Sequence, residues 1–384
     1  MESKAVGFDP LHKAYGFGLH ITPFIYRWKL FAFYSLLPTL FTVFVYFLPS
    51  TVYFLQSTIM ELFGIDNLPM NKTSRLPQLH ADPATSFALI ALITGTMALG
   101  FAPIIVRLSE VGPIATAFWR MAFALPPLAI LMSWETHLPP DSGLPPSFPP
   151  DSGGMKVGWQ DYRWLVLAGL FFAGDLTSWH VALHLTTVAN STILANCASL
   201  FVTLGAWWFF KQHITLTFIL GLAVAFIGAI MLVGAKFSFN SQSWQGDALS
   251  VVTAICYASY FLCIKKSRDK FSTFVTMTWV SAVTSLALIP VVLLFGETFF
   301  AVTLIGWALL IALAFLTQIG GQTFVAYALA HLPAPFSAVT MLLESVMATL
   351  FAWLILSEAL TGWQALGGFI VLCGILLARR GSQI

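Results

Sequence analysis

Two long apolar runs joined by a short polar elbow lie at the end of the chain, and they limit the possible folds most strongly. The first run covers residues 333–357 and the second covers residues 363–378, directly before two arginines. About 20 apolar residues in a helix match the ~30 Å hydrocarbon core of a bilayer at a rise of 1.5 Å per residue. The pattern therefore predicts a helical hairpin that crosses a membrane twice.

The same pattern occurs earlier in the chain, at residues 188–235. A shift of 146 positions places Gln212 on Glu358 and Thr215 on Thr361, so the two polar breaks coincide. Two copies of one hairpin indicate an internally duplicated protein.

The composition supports a membrane protein. The chain is 58% hydrophobic and 9% charged, whereas soluble domains carry about 25% charged residues. All four cysteines lie inside apolar runs, where their spacing indicates neither a metal site nor a disulfide framework. They are Cys197, Cys256, Cys263 and Cys373.

Ten apolar runs of spanning length predict an all-α, polytopic membrane protein with ten transmembrane helices in two sets of five. We expect an N-terminal extension over 1–85, a first repeat over 86–235 and a second repeat over 246–380. A proline-rich loop at 134–160 interrupts the first repeat, and we expect it to lack regular structure. The predicted spans are 87–106, 113–133, 163–185, 188–210, 214–235, 246–264, 274–295, 303–328, 335–357 and 362–378.

The placement of positive charge predicts the orientation of these spans. With the residues before the first span in the cytoplasm, eleven basic residues fall in cytoplasmic loops and two fall outside, as the positive-inside rule requires. The cytoplasmic ones are Lys72, Arg75, Lys156, Arg163, Lys211, Lys265, Lys266, Arg268, Lys270, Arg379 and Arg380, and the outside ones are Arg107 and Lys236. Because five spans per repeat is an odd number, the repeats are expected to be inverted relative to each other.

The apolar run at 30–48 fits this topology poorly, because a spanning helix there would place its charged head outside. Three interpretations stay open. The run is an interfacial segment, an extra span, or a stretch that precedes the true start at Met60 or Met70.

Three segments resemble a known family. Residues 100–126, 169–202 and 321–382 look like the EamA-type branch of the drug/metabolite transporter superfamily, and the resemblance covers about 86–382. It implies two EamA repeats and transport of small metabolites or drugs, often as export. The chain departs from the family pattern at Gln212, where such hairpins usually end in Glu, and at Ser199 and Ser345, which replace a proline that usually kinks these spans.

Three ionisable side chains lie deep inside predicted spans. They are Arg120, Asp175 and Glu344. A charge at the bilayer centre costs ~2.5–3.5 kcal/mol on insertion scales, so such residues are functional candidates by default. In a carrier, Arg120 would hold an anionic group, and either carboxylate would exchange a proton or hold a cation. The alternative is that Arg120 and Asp175 form a structural pair that neutralises itself.

Trp179, His180 and Asn196 are expected on the wall of the same cavity. Trp179 lies four residues after Asp175 and therefore shares its helix face. For the other polar side chains within spans, hydrogen bonding between helices is the expected role. These are His184, Asn190, Gln318 and Gln322.

These features predict a secondary transporter of small organic solutes that is driven by a gradient or by exchange, and the resemblance to the EamA-type branch implies that it is an exporter. The alternative is a polytopic membrane enzyme acting on lipids, although no catalytic motif, metal pair or phosphate-binding loop occurs in the sequence. The expected partners are a small-molecule solute, with proton coupling left open, and the lipid bilayer. No cofactor, metal or nucleic acid is expected, a homodimer is left open, and the expected location is the plasma (inner) membrane.

Overall fold

The computed structural model describes residues 83–135, 157–233 and 244–382, and these residues form helices and connecting loops with no strand. Ten of the helices are long and apolar enough to cross a membrane, which confirms the predicted number. Numbered α1 to α10, they are Ala84–Leu108, Pro113–Glu135, Trp159–Leu185, Asn190–Phe210, Leu216–Val233, Trp244–Ser267, Thr273–Phe295, Leu304–His331, Ala334–Leu356 and Gly362–Gly381. The N-terminal run at 30–48 and most of the proline-rich loop lie outside the described residues.

The closest helix pair joins α5 to α10, the last helix of each repeat. A Cβ at Gly228 would lie 2.6 Å from the Val371 nitrogen, and a Cβ at Gly374 would lie 2.3 Å from the Ala225 nitrogen. Residue numbers therefore rise along one helix as they fall along the other. The shift of 146 positions that relates the two repeats places Gly228 on Gly374 and Ala225 on Val371, so the two contacts are equivalent. Equivalent helices are thus antiparallel and related by a pseudo-twofold axis, as an inverted repeat requires.

The remaining helix contacts follow the same symmetry. Helix α2 packs on α7 and α4 packs on α9, so both pairs join equivalent helices of the two halves. Helix α3 packs on α6 and on α7, and the equivalent contacts join α8 to α1 and to α2. The two repeats therefore pack into each other, and the surface between them passes through the middle of the bundle.

Several helices lose regular geometry near the middle of the bundle. Helix α4 is interrupted at Cys197 and α9 at Met341 and Leu342. A π-helical segment, Ala314–Gln322, lies within α8. Ser199 and Ser345 replace the proline of the family pattern, but α4 and α9 are nevertheless interrupted. Irregular helix geometry at this depth is typical of functional sites in membrane proteins.

At one end of the bundle, the loops before α2 and α8 each carry a glutamate that accepts backbone hydrogen bonds from the other repeat. Glu110 accepts hydrogen bonds from the backbone nitrogens of Val302, at 2.9 Å, and Thr303, at 3.0 Å. In return, Glu297 accepts one from the Ala115 nitrogen at 2.9 Å. Each carboxylate therefore satisfies free N–H groups at the start of a helix in the other repeat. We call this the Glu110 end.

At the opposite end, lysine side chains hold the C-terminus of α8 and the N-terminus of α3. The Lys265 ammonium donates to the carbonyls of Leu329, at 2.6 Å, and Leu332, at 3.1 Å. Lys270 forms an ion pair with Asp161 at 2.8 Å, which joins the two repeats. The loop that carries Arg268 lies here, and we call this the Arg268 end.

Candidate functional site

Arg120 projects from α2 in the middle of the bundle. It lies seven residues after the start of the helix, which corresponds to a depth of about 10 Å. The side chain is only 8% exposed. Its Nε and Nη2 atoms are buried and have no hydrogen-bond partner among the described residues. A buried donor without a partner costs about 1–3 kcal/mol, more when it is charged, so this arrangement needs a functional explanation.

A stack of aromatic rings supports the guanidinium. The Arg120 Cζ atom lies 5.9 Å from the centre of the Phe172 ring, within the range of a cation–π interaction. Phe172 in turn stacks on Tyr260 with ring centres 4.4 Å apart and planes 13° apart. The Tyr260 hydroxyl donates to Gln322 Oε1 at 3.0 Å. Four helices, two from each repeat, therefore contribute to the support.

Two carboxyl groups interact electrostatically with Arg120 without forming an ion pair with it among the described residues. Arg120 interacts electrostatically with Glu344 on α9 and with Asp175 on α3, and Asp175 is 9% exposed. Neither carboxylate comes within the 4.0 Å of an ion pair with Arg120 in the part of the chain that the structure describes. The three candidates share one region, yet they form no direct structural pair.

The interruption of α9 gives Glu344 a special position. Glu344 lies in the first turn of the second α9 segment, Leu343–Leu356. The N-terminus of a helix carries partial positive charge, so it favours an anion there. Beside it, Asn196 Nδ2 lies 3.5 Å from Ser345 Oγ, which joins the break in α4 to the break in α9. Asn196 thus contacts the residue that follows Glu344 in the chain, and its place on the wall of a cavity stays a prediction.

Trp179 and His180 are placed less centrally. The His180 Nδ1 atom lies 2.5 Å from the Leu176 carbonyl oxygen. Because a carbonyl can only accept, Nδ1 carries the proton. His180 is 4% exposed and its Nε2 atom has no partner among the described residues. Trp179 packs edge-on against the His180 ring. No described contact joins either residue to Arg120.

Polar residues elsewhere in the spans mostly connect helices, as predicted. Asn190 donates to Asp247 on α6 at 3.2 Å, and Gln318 donates to Ser281 on α7 at 3.1 Å. Gln322 accepts from α6 and belongs to the support of Arg120. His184 differs, since it interacts electrostatically with Glu297 at the Glu110 end.

Sequence reasoning missed the aromatic part of the site. Phe172 resembles any apolar residue of α3, and no pattern distinguishes it. Tyr257 and Tyr260 could have been found, because they lie three residues apart in the interior of α6 and not at an interface. A buried tyrosine needs a partner for its hydroxyl. Tyr257 also interacts electrostatically with Glu344.

We refer to the whole group as the central site. Its members lie on α2, α3, α6, α8 and α9, so both repeats contribute. They are Arg120, Phe172, Asp175, Tyr257, Tyr260, Gln322 and Glu344. The arrangement combines one guanidinium with two carboxyl groups, two phenol hydroxyls and an amide. Within the described residues, no group of three His, Cys, Asp or Glu side chains could hold a metal ion.

Comparison with known families gives a clear match. The model of the EamA-like transporter family matches the chain twice, over residues 86–234 and 244–380. The two matches cover most of the described helices, one for each half of the pseudo-twofold arrangement.

Relatives are transporters by name. An uncharacterized transporter of Archaeoglobus fulgidus is 27% identical over 298 residues, which is 75% of this chain and 95% of that protein. A pseudopaline exporter of Pseudomonas aeruginosa is 26% identical over 230 residues, which is 60% of this chain and 79% of the exporter.

A solved structure, described only as the crystal structure of a protein, shares the fold. It superposes with a TM-score of 0.63 at 16% identity, over 78% of this chain and 99% of that chain. At this identity the likeness concerns the fold alone.

Proposed function

Because the chain belongs to the EamA-like transporter family, it is an integral, multi-pass membrane transporter, and we propose that it is a secondary exporter of small organic metabolites or drugs. The family and the names of its relatives indicate a transporter and not an enzyme. The proposed direction is supported by the relative that is named an exporter.

One observation carries the proposal. Arg120 is buried between the repeats with two donors that have no partner among the described residues, and it interacts electrostatically with two carboxylates that form no ion pair with it there. Carrier sites lie near the midplane at the interface of the repeats, where each side of the membrane can reach them in turn. A purely structural charge in this position would be expected to fill its hydrogen bonds.

The proposed transport cycle alternates between the two ends of the bundle. The solute would bind at the central site while one end is open and the other is closed. At the Glu110 end, closure uses the carboxylates that cross between the repeats. At the Arg268 end, closure includes the ion pair between Lys270 and Asp161. The pseudo-twofold relation supports such a cycle, because exchanging the conformations of the two repeats exchanges the open end.

We propose that a gradient or solute exchange drives export and that proton coupling, where it operates, uses the carboxylates of the central site. Asp175 and Glu344 lie in different repeats, and both interact electrostatically with Arg120. Intramembrane carboxylates of this kind are typical of proton relays. The proposed location is the plasma (inner) membrane.

An unbiased metabolite profile tests the function. Cells that express the protein are compared with cells that express Arg120→Gln, and solutes inside the cells and in the medium are measured. We expect solutes that leave cells with the wild-type protein to stay inside cells with the variant. Thr278→Val serves as control, because among the described residues the Thr278 hydroxyl donates only within its own helix, to the Phe274 carbonyl at 2.7 Å. Identical solute profiles with an altered lipid profile would instead favour a lipid-modifying enzyme.

A further inference from the structure

We propose that His180, His184 and Thr253 form a proton path from the Glu110 end to Asp175, and that export is coupled to protons that move inward along it. This inference rests on the proposed function and adds the residues that carry the coupling ion. The orientation predicted from the positive charges places the Glu110 end outside the cell. The support comes from a buried ring nitrogen and a buried hydroxyl that have no described partner, and from an exposed histidine one turn farther out.

His180 can take up a proton at one ring nitrogen. Its Nδ1 atom donates to the Leu176 carbonyl at 2.5 Å, so in the neutral ring Nε2 carries a lone pair and no proton. His180 is 4% exposed, and Nε2 is buried without a hydrogen-bond partner among the described residues. A histidine that only joined helices would be expected to use both nitrogens. Nε2 can therefore accept a proton, hold it in the imidazolium form and release it again.

His184 provides the outer end of the path. It lies four residues after His180, so the two side chains share one face of α3 at a separation of about 6 Å along the helix. His184 is exposed, and it interacts electrostatically with His180 and with Glu297. Glu297 accepts one of the hydrogen bonds that cross between the repeats at the Glu110 end. A proton from the outer solution can thus reach His184 without crossing the apolar part of the bundle.

Two close approaches fix how α3 and α6 are aligned. A Cβ at Gly246 would lie 2.6 Å from the Thr186 nitrogen, and a Cβ at Gly174 would lie 3.3 Å from the Cys256 sulfur. Residue numbers therefore rise along one helix as they fall along the other, and these two helices are antiparallel neighbours.

This alignment places Thr253 on α6 at a depth between His180 and Asp175. Thr253 follows Gly246 by seven residues, which is about two helical turns, so it lies on the face of α6 that meets α3. It is 3% exposed, and its hydroxyl is buried without a partner among the described residues. A helical threonine can bond to the carbonyl one turn back, as Thr278 does. The Thr253 hydroxyl is thus available to water.

Water completes the path between these side chains. His180 and Asp175 are five residues apart, or about 7.5 Å along the helix, which is too far for direct transfer. A buried water needs two to four polar partners, and His180 Nε2, the Thr253 hydroxyl and the Asp175 carboxylate supply three. In one cycle a proton enters at His184, passes through His180 and arrives on Asp175. It leaves inward when the opposite end opens, and the solute leaves outward.

Other ionisable groups on the neighbouring helices do not offer an alternative route. Asp247 on α6 already accepts hydrogen bonds from two side chains at the junction of α3 and α4. The segment Val188–Asn196 and helix α7 carry no ionisable side chain. Three more groups interact electrostatically with Asp175 and therefore lie at the inner end of the path. They are Arg120, Cys256 and Tyr257.

Inside-out membrane vesicles test the path, because export from cells becomes uptake into these vesicles. The probe is an isotope-labelled mixture of the solutes that wild-type cells release and Arg120→Gln cells retain. Uptake is measured in two modes. In the first, empty vesicles with an acidic interior drive uptake by protons. In the second, vesicles loaded with the unlabelled mixture exchange it for the labelled one, without a pH gradient. Exchange requires solute binding and alternation but no net movement of protons.

His180→Gln keeps a polar side chain and cannot carry a proton. We expect its proton-driven uptake to fall by about 100-fold, the lower limit for a positioned proton-transfer group, while exchange stays at the wild-type rate. Thr253→Val keeps the shape of the side chain and removes the hydroxyl. Its proton-driven uptake should fall by about fivefold, which corresponds to one neutral hydrogen bond. Thr278→Val is the matched control and should retain both modes.

Each outcome decides the question. Proton-driven uptake by His180→Gln at the wild-type rate would overturn the inference. If His180→Gln loses both modes, Thr253→Val decides, and full proton-driven uptake in that variant would overturn the path. Wild-type exchange that an acidic interior does not accelerate would also overturn it and leave the transporter function intact. Absence of both modes in wild-type vesicles would reject the proposed function together with the path.

Discussion

Arg120 and Arg268 are both buried arginines in an apolar protein, and the structure gives their nitrogens opposite surroundings. Arg120 is 8% exposed and has two donors without a partner among the described residues. Arg268 is 0% exposed, yet it donates from Nε to the Ala326 carbonyl at 3.1 Å and from Nη1 to the Phe271 carbonyl.

The surroundings of Arg268 are those of a structural residue. Its bonds tie the loop before α7 to the C-terminal part of α8, and it interacts electrostatically with Glu135 at the end of α2. Burial lowers the pKa of Arg268 to about 10, so it stays charged at neutral pH. One of the two acceptors belongs to the loop residue Phe271 and the other to Ala326 within α8.

The comparison shows that burial of a charge does not by itself mark a functional site. We propose that the distinguishing property is whether the buried group has hydrogen-bond partners. The same distinction separates the acidic residues. Glu297 accepts a backbone hydrogen bond from Ala115 at the Glu110 end, whereas Glu344 has no described partner in the central site. We therefore expect buried charged residues that have hydrogen-bond partners to respond differently to mutation from those that have none described.

The largest expected difference is between Arg120→Gln and Arg268→Gln. Arg120→Gln should reduce transport by about 100-fold or more, because two charge-assisted bonds to the solute are lost. It should leave the unfolding temperature unchanged or raised, since a buried unpaired charge is removed. Arg268→Gln should lower the free energy of unfolding by at least about 1.5–3 kcal/mol, the contribution of one hydrogen bond to a charged group.

Both variants are measured by solute export and by thermal unfolding in the same detergent. The expected difference is contradicted if the unfolding temperature of Arg120→Gln is as low as that of Arg268→Gln. It also fails if Arg268→Gln, once folded, loses export while its unfolding temperature stays that of the wild type.

A double variant tests whether Arg120 and Asp175 serve each other. If they only neutralised each other, Arg120→Gln combined with Asp175→Asn would recover the export that each single variant loses, because no charge would remain unpaired. No direct ion pair joins them in the described structure, so we expect the double variant to stay inactive. Export measured in the same cells decides this, and recovery would leave Glu344 as the remaining candidate.

A smaller effect of mutation on stability is expected at Glu297, whose carboxylate accepts a hydrogen bond from the Ala115 nitrogen. Burial raises the pKa of Glu297, although the Ala115 and Ile114 nitrogens act in the opposite direction, as does the electrostatic interaction with His184. Because the pKa is raised in the folded protein, its contribution to stability is fully present below its ordinary value, near 4.5. That contribution is lost as the pH rises through the raised value.

Glu297→Gln removes the ionisation and keeps an oxygen for the Ala115 nitrogen. We expect its free energy of unfolding at neutral pH to stay within about 1 kcal/mol of wild type, the scale of one neutral hydrogen bond. The wild-type gain in stability on acidification should become smaller in the variant. Thermal unfolding across pH 4.5 to 8 checks this, and an unchanged pH dependence would show that other groups are responsible.

The sequence predicts the number of helices because each span is an apolar run of the required length, and it predicts inversion because each repeat has five of them. It also identifies Arg120, Asp175 and Glu344, since a charge in an apolar run is easily recognised. The π-helical segment of α8 and the break in α9 were not predicted. Both depend on packing between helices, which a linear pattern does not contain.

The aromatic support escaped prediction for a related reason. Phe172 contacts Arg120 and Tyr260 only because α2, α3 and α6 converge. In the sequence these residues are far apart, and phenylalanine is common in every span. The hydrogen bonds of Arg268 could not be predicted from the sequence either, because its acceptors are backbone carbonyls. Whether a buried charge is satisfied can thus be read only from the three-dimensional structure.

The smallest effect is expected at the ion pair between Lys270 and Asp161. Both side chains are partly exposed to solvent, and exposed pairs contribute little because water screens them. Asp161→Asn and Lys270→Gln should each change the unfolding temperature slightly. The double variant should return toward wild type, since neither charge then lacks its partner. This behaviour is the reverse of that expected for Arg120 and Asp175, so the two double variants form a matched test. Because we propose that closure of the Arg268 end includes this pair, we expect either single variant to change the export rate more than the unfolding temperature. Export rates and unfolding temperatures of the three proteins, measured together, separate the two roles.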